Sequence, residues 1–99
     1  MIEIETSDEG RMSFLDVSAF VLFKWNYKIL QNFIDIVDQT QKRLLINPQL
    51  GKPFTATVRK IVLHKNASFY YEFDENLKKI TILLFIDNRC NPKDYLKLL

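Results

Sequence analysis

Between Val58 and Ile86 three runs of strand-forming residues are joined by links too short for anything but hairpins. Val58 to His64 is the first, and Lys65-Asn66 turns the chain. Ala67 to Phe73 is the second, Asp74-Glu75-Asn76 turns it again, and Lys79 to Ile86 is the third. Parallel neighbours need a crossover of a dozen or more residues, so these runs predict a three-stranded antiparallel meander. Period-two alternation places Ala67, Phe69, Tyr71 and Phe73 on one face of the second strand and Ser68, Tyr70 and Glu72 on the other. The same count places Ile80, Ile82, Leu84 and Ile86 together on one face of the third.

The sequence before the meander reads as one strand and two helices. Ile2-Glu3-Ile4-Glu5-Thr6 alternates as a short strand. Ser7 can cap a helix, with Asp8 and Glu9 favourable in its first turn, although Gly10 weakens that turn. This helix runs to about Lys24 with a stripe of Phe14, Val17, Val21 and Trp25. Leu15, Phe20, Leu22 and Phe23 make it apolar on more than one face. Trp25-Asn26 breaks the pattern, and a second helix runs from about Tyr27 to Ile46 with Leu30, Phe33, Ile34, Val37, Gln41, Leu44 and Leu45 at helical spacing. Trp25 is expected to anchor the two helices as an antiparallel hairpin. Asn47-Pro48 stops the second helix, Gly51-Lys52-Pro53 extends the loop, and Asp94 to Leu99 reads as a short helical tail. The predicted order is βααβββ. The fold class is α+β, with a helix hairpin packed on a small, mainly antiparallel four-stranded sheet and a short C-terminal tail. At 99 residues it is expected to be one domain, residues 1–99.

Composition narrows the chemistry. Cys90 is the only cysteine, which excludes an internal disulfide and fits a reducing compartment. The start lacks a basic segment followed by an apolar core, and no run reaches the ~18 apolar residues of a membrane span. The expectation is a cytoplasmic protein with no membrane partner. One histidine, one cysteine and scattered carboxylates offer no metal-ligand spacing, and no glycine-rich phosphate loop is present, so no metal and no cofactor are expected. Charge is unevenly placed. Residues 1–41 hold three Lys/Arg against seven Asp/Glu, net −4, and residues 42–99 hold eleven against five, net +6. That asymmetry points the second half toward an anionic partner.

The third run of the meander ends at Asp87-Asn88-Arg89-Cys90-Asn91-Pro92, a polar turn with one arginine. A guanidinium is a planar, permanently charged fork suited to phosphate oxygens. In this setting the chain resembles the RelE/ParE toxins. Asn47-Pro48-Gln49-Leu50-Gly51-Lys52-Pro53 is similar to the family's "NPxLGxP" loop, and Val58-Arg59-Lys60-Ile61-Val62 to its "vRklv" strand. Phe69-Tyr70-Tyr71-Glu72-Phe73 is similar to "lfYei", and Asp87 to Pro92 to "DNRqNP". With Ser7 to Trp25 as the family's first helix, five pieces fall in order over some 85 residues.

The resemblance implies the toxin of a type II toxin–antitoxin system, neutralised by a small cognate antitoxin that wraps around it. RelE-like members cleave mRNA in the ribosomal A site without metal, and ParE-like members poison DNA gyrase. Arg89 matches the cleavage members' arginine at the end of the last strand. Tyr95 matches the tyrosine that some carry six residues later. Arg59 or Lys60 matches a basic strand position. The position that often begins the middle strand of the meander with a basic residue is Ser68 here.

Cleavage of this kind has a 2′-hydroxyl attack the adjacent phosphate, so it needs a proton acceptor, charge stabilisation and protonation of the leaving oxygen. The expected catalytic residues are Arg89, Tyr95 and Arg59. Lys60, Lys65 and His64 are the expected RNA contacts, and neighbouring strand residues facing opposite ways leave only one of Arg59 and Lys60 to line the site. Ribosome and mRNA are the first expected target. A gyrase inhibitor without catalysis, or a decayed toxin that only binds its antitoxin, are the alternatives. The surplus of apolar residues on the first helix suggests a surface awaiting a partner, with the antitoxin covering part of the hairpin or the basic face of the sheet.

Overall fold

A computed structural model describes residues 1–64 and 67–87, without the side chain of His64. The expected turn at Lys65-Asn66, the expected tail, and Arg89, Cys90 and Tyr95 lie outside the described residues. The elements are β1 (Glu3–Thr6), α1 (Asp8–Lys24), α2 (Tyr27–Ile46), β2 (Lys52–Pro53), β3 (Val58–His64), β4 (Ala67–Asp74) and β5 (Lys79–Asp87). They build a mixed sheet of order β1-β5-β4-β3-β2, with β1 parallel to β5 and every other pair antiparallel. Both helices pack on one face. The expected four strands become five, because Lys52–Pro53, read as loop, pairs with Lys60 and Arg59.

Capping and close approach place α1. The Ser7 hydroxyl accepts from the Gly10 amide at 3.0 Å, one of the orphan donors of a helix start. Gly10 is buried where the helix meets the sheet, and a Cβ there would lie 2.7 Å from both the Ile82 carbonyl oxygen and Thr6 Cγ2. The residue that weakens the helix in isolation is the one that lets α1 reach β5.

A bulge corrects the expected facing of β5. Tyr70 pairs with Leu84 but Tyr71 pairs with Ile82, leaving Leu83 as the extra residue. Alternation therefore slips by one. Ile80, Ile82 and Phe85 join the helix-side core, while Leu84 and Ile86 cluster on the far face with Val58 and Tyr70. The bulge turns the carbonyls of both Ile82 and Leu83 toward α1, where Ser7 meets them with its amide at 2.9 Å and its hydroxyl at 3.2 Å. Ser13 accepts from the Phe85 amide at 2.8 Å. Ser7, which caps α1, and Ser13 within it thus satisfy the stretch of β5 that β1 is too short to cover.

The helix-side core is a relay of rings. Phe33 of α2 stacks on Phe14 of α1 at 5.9 Å, Phe14 meets Phe85 edge-on at 5.1 Å, and Phe85 leads to Phe69 at 5.3 Å. Val17, Val37, Leu44, Ile80 and Ile82 fill the space around them. Trp25 takes no part in it. It caps the C-terminus of α1 and is 52% exposed, which overturns its expected role as an interhelical anchor. It sits in the two-residue link between α1 and α2 rather than on the buried face of either helix.

Candidate functional site

The face of the sheet away from the helices carries a row of side chains across four strands. Lys52 of β2 stands opposite Lys60 of β3, Lys60 opposite Tyr70 of β4, and Tyr70 opposite Leu84 of β5. Directly opposed residues point the same way, so the row lies on one surface. The Lys60 ammonium lies 5.7 Å from the centre of the Tyr70 ring, a cation–π distance. Phe54 packs against the same ring, tilted, at 4.8 Å between centroids. Tyr70 is 2% exposed and forms the floor, whereas Lys52 is exposed and Lys60 half-buried.

Two ammonium groups in directly opposed positions repel. Among the described residues the ion pairs are Arg11–Asp8, Lys42–Asp38 and Lys79–Glu5, and none involves Lys52 or Lys60. Glu72 is on the same face one step along, opposite Val58. A phosphate oxygen placed between two such cations would remove the repulsion and add charge-assisted hydrogen bonds.

Arg59 turns to the other face. Its Nη1 donates to the Gly51 carbonyl at 2.7 Å and to the Gln49 carbonyl at 3.3 Å. Beside it the Tyr71 hydroxyl accepts from the Gly51 amide at 2.9 Å and donates to the Pro48 carbonyl at 2.8 Å. A Cβ on Gly51 would lie 2.8 Å from Tyr71 Cε1 and 2.9 Å from the Lys60 carbonyl oxygen, so only glycine fits. Asn47 to Pro53 is thereby clamped against β3 and β4, and the clamp brings Lys52 into register with Lys60. Arg59 bears on the face opposite the two helices by holding the loop, while Lys60 lies on that face.

Burial raises the Tyr71 phenol above its ordinary value of 10.0, against smaller lowering effects from the Gly51 hydrogen bond and the Arg59 charge. A folded value above the unfolded one gives a contribution to stability that is full below pH 10 and is lost as pH rises through the folded value. Tyr71→Phe leaves the Gly51 amide and the Pro48 carbonyl without their partner, an expected loss of about 2–3 kcal/mol. Denaturant melts across alkaline pH check both points. The variant is less stable at neutral pH and loses less on going above pH 10.

Of the other expected site residues, His64 ends β3 opposite Ala67, and Lys65, Arg89 and Tyr95 lie outside the described residues. β5 carries the chain to Asp87, three residues beyond Leu84 in the row and two before Arg89. Ser68 is fully buried on the same sheet face as Tyr70. Lys52 and Phe54 were not singled out from sequence, since a two-residue strand leaves no periodic trace. Among the described residues no three His, Cys, Asp or Glu side chains lie close enough together to hold a metal ion. No described helix is long and apolar enough to cross a membrane.

No family model matches the chain, and no curated protein is similar enough to register. Among solved structures, the solution structure of the conserved hypothetical protein HP0892 from Helicobacter pylori is similar, with a TM-score of 0.53 and 14% identity over 89% of this chain and 96% of that one. At that identity the likeness is one of fold.

Proposed function

We propose that the chain is a RelE/ParE-type toxin of a type II toxin–antitoxin pair that inhibits translation by ribosome-dependent, metal-independent mRNA cleavage. The observation that carries this reading is the opposed pair Lys52–Lys60 on the sheet face opposite α1 and α2, set beside the Tyr70 ring. In this reading Lys52 and Lys60 hold the RNA backbone, and Arg89 stabilises the charge that develops on the phosphate when the 2′-hydroxyl attacks. Tyr95 stacks on a base or exchanges a proton, and His64 and Lys65 extend the RNA contact at the end of β3. Arg59 acts through the loop it clamps. Ribosomes are the target, so the toxin works in the cytoplasm.

The antitoxin is proposed to seat an apolar side chain in the cleft of about 310 Å³ between α1 and α2. Phe14, Leu15, Val37 and Phe85 line that cleft, and Arg11 and Gln41 stand at its rim. A second reading, a decayed toxin that only binds its antitoxin, draws on Ser68. A buried serine occupies the position where the family often carries a basic residue.

The test is purified protein in a ribosome and mRNA reaction with a chelator present, read by primer extension, with Arg89→Ala in parallel. Ribosome-dependent cuts are expected, weaker in the variant by roughly 100-fold or more. A folded, toxic protein that makes no cuts but inhibits gyrase supercoiling replaces this reading with the gyrase one. A folded protein with neither activity nor toxicity leaves the decayed toxin.

A further inference from the structure

The tip of the helix hairpin exposes a run of large apolar side chains. Every residue from Leu22 to Ile29 is exposed. Phe23 is 90% exposed, Tyr27 65%, Trp25 52% and Leu22 46%. In the turn, the Asn26 side chain caps α2 by accepting from the Ile29 amide at 2.9 Å, and Gln31 Nε2 donates to the Tyr27 hydroxyl at 2.8 Å. Exposed apolar groups concentrated in one place mark a docking surface.

Charge identifies what docks. No Asp or Glu occurs between Asp16 and Asp35, in a chain whose first 41 residues are otherwise acidic, and the two charges in that interval are Lys24 and Lys28. Both are exposed, and neither takes part in an ion pair among the described residues. Lys24 lies over the Phe20 ring at 5.8 Å. Lysines interleaved with Trp, Tyr and Phe are unlike the core of a protein–protein interface, where lysine is depleted. They match the boundary of a bilayer, where aromatic rings settle at headgroup depth and lysine stems run up to the phosphates.

We propose that the hairpin tip, Leu22 to Ile29, is a docking site for an anionic lipid surface, with Phe23 and Trp25 entering the acyl boundary and Lys24 and Lys28 meeting lipid phosphates. This departs from the sequence-based expectation of no membrane partner. It requires no helix to cross the bilayer and does not depend on the toxin reading.

Trp25 is the only tryptophan, so the protein carries its own probe at the tip. The full chain is mixed with vesicles of phosphatidylcholine alone or of phosphatidylcholine with phosphatidylglycerol. Blue-shifted Trp25 emission is expected on the anionic vesicles, with quenching by brominated acyl chains. Lys24→Ala/Lys28→Ala is expected to weaken binding to anionic vesicles by roughly thirtyfold, at about fivefold per lysine, without changing binding to neutral ones. Phe23→Ser, at a side chain nearly free of the fold, is expected to weaken both about tenfold. Emission that ignores vesicles overturns the proposal. So does a blue shift without lipid that grows with protein concentration, which would show a second copy covering the tip.

Discussion

Gly10→Ala is expected to lower stability by about 1–2 kcal/mol and Gly10→Val by about 3 kcal/mol or more, costs in the range of overpacked cores. The sign is the informative part. By helix propensity alone, Ala in place of Gly stabilises by about 1 kcal/mol. Packing opposes this, because the added Cβ would lie 2.7 Å from the Ile82 carbonyl oxygen. That oxygen is held in place by the Ser7 amide at 2.9 Å, so relief would require α1 to lift from β5. For a domain of this size 1 kcal/mol shifts the melting midpoint by roughly 4–8 °C, so calorimetry separates the two outcomes. A raised midpoint for Gly10→Ala would mean that the contact between α1 and β5 yields easily.

Lys52→Ala/Lys60→Ala is expected to weaken binding of single-stranded RNA and to flatten its salt dependence. Each phosphate contact on a single strand contributes about −0.7 to the slope of log K against log salt. Losing both should therefore reduce the slope by about 1.4. The loss in affinity at low salt is expected to be roughly a hundredfold, from two charged hydrogen bonds. The fold should be untouched or slightly firmer, since the variant removes a like-charge pair across β2 and β3. Titrations at several salt concentrations, alongside a denaturant melt, check both parts. An unchanged slope would place the RNA elsewhere on the molecule.

Much of this architecture was legible because local signals agreed with one another. Ser7 as cap, the breaks at Trp25-Asn26 and Asn47-Pro48, and three alternating runs with short links led to the observed helices and meander. What escaped sequence reading depends on distant partners. β2 is two residues long and exists because Tyr71 and Arg59 clamp the loop before it. The bulge at Leu83 was invisible because Leu83 and Leu84 suit either face. Gly10 read as a defect in a helix until Ile82 was seen against it. The site was legible only in part. Lys60 stood out as a charged strand residue. Its opposition to Lys52 required the register, and the carbonyls that Arg59 holds required the fold.

The claim that the sheet face opposite α1 and α2 holds the RNA is tested most directly by removing equal charge from two places. Lys52→Ala/Lys60→Ala on that face and Lys24→Ala/Lys28→Ala at the hairpin tip each delete two positive charges. Both are compared with the wild-type chain for ribosome-dependent mRNA cleavage by primer extension. The account predicts that the sheet-face variant loses cleavage while the tip variant cuts as the wild type does. Equal loss in both would reduce the effect to net charge, and full activity in the sheet-face variant would contradict the assignment of the site.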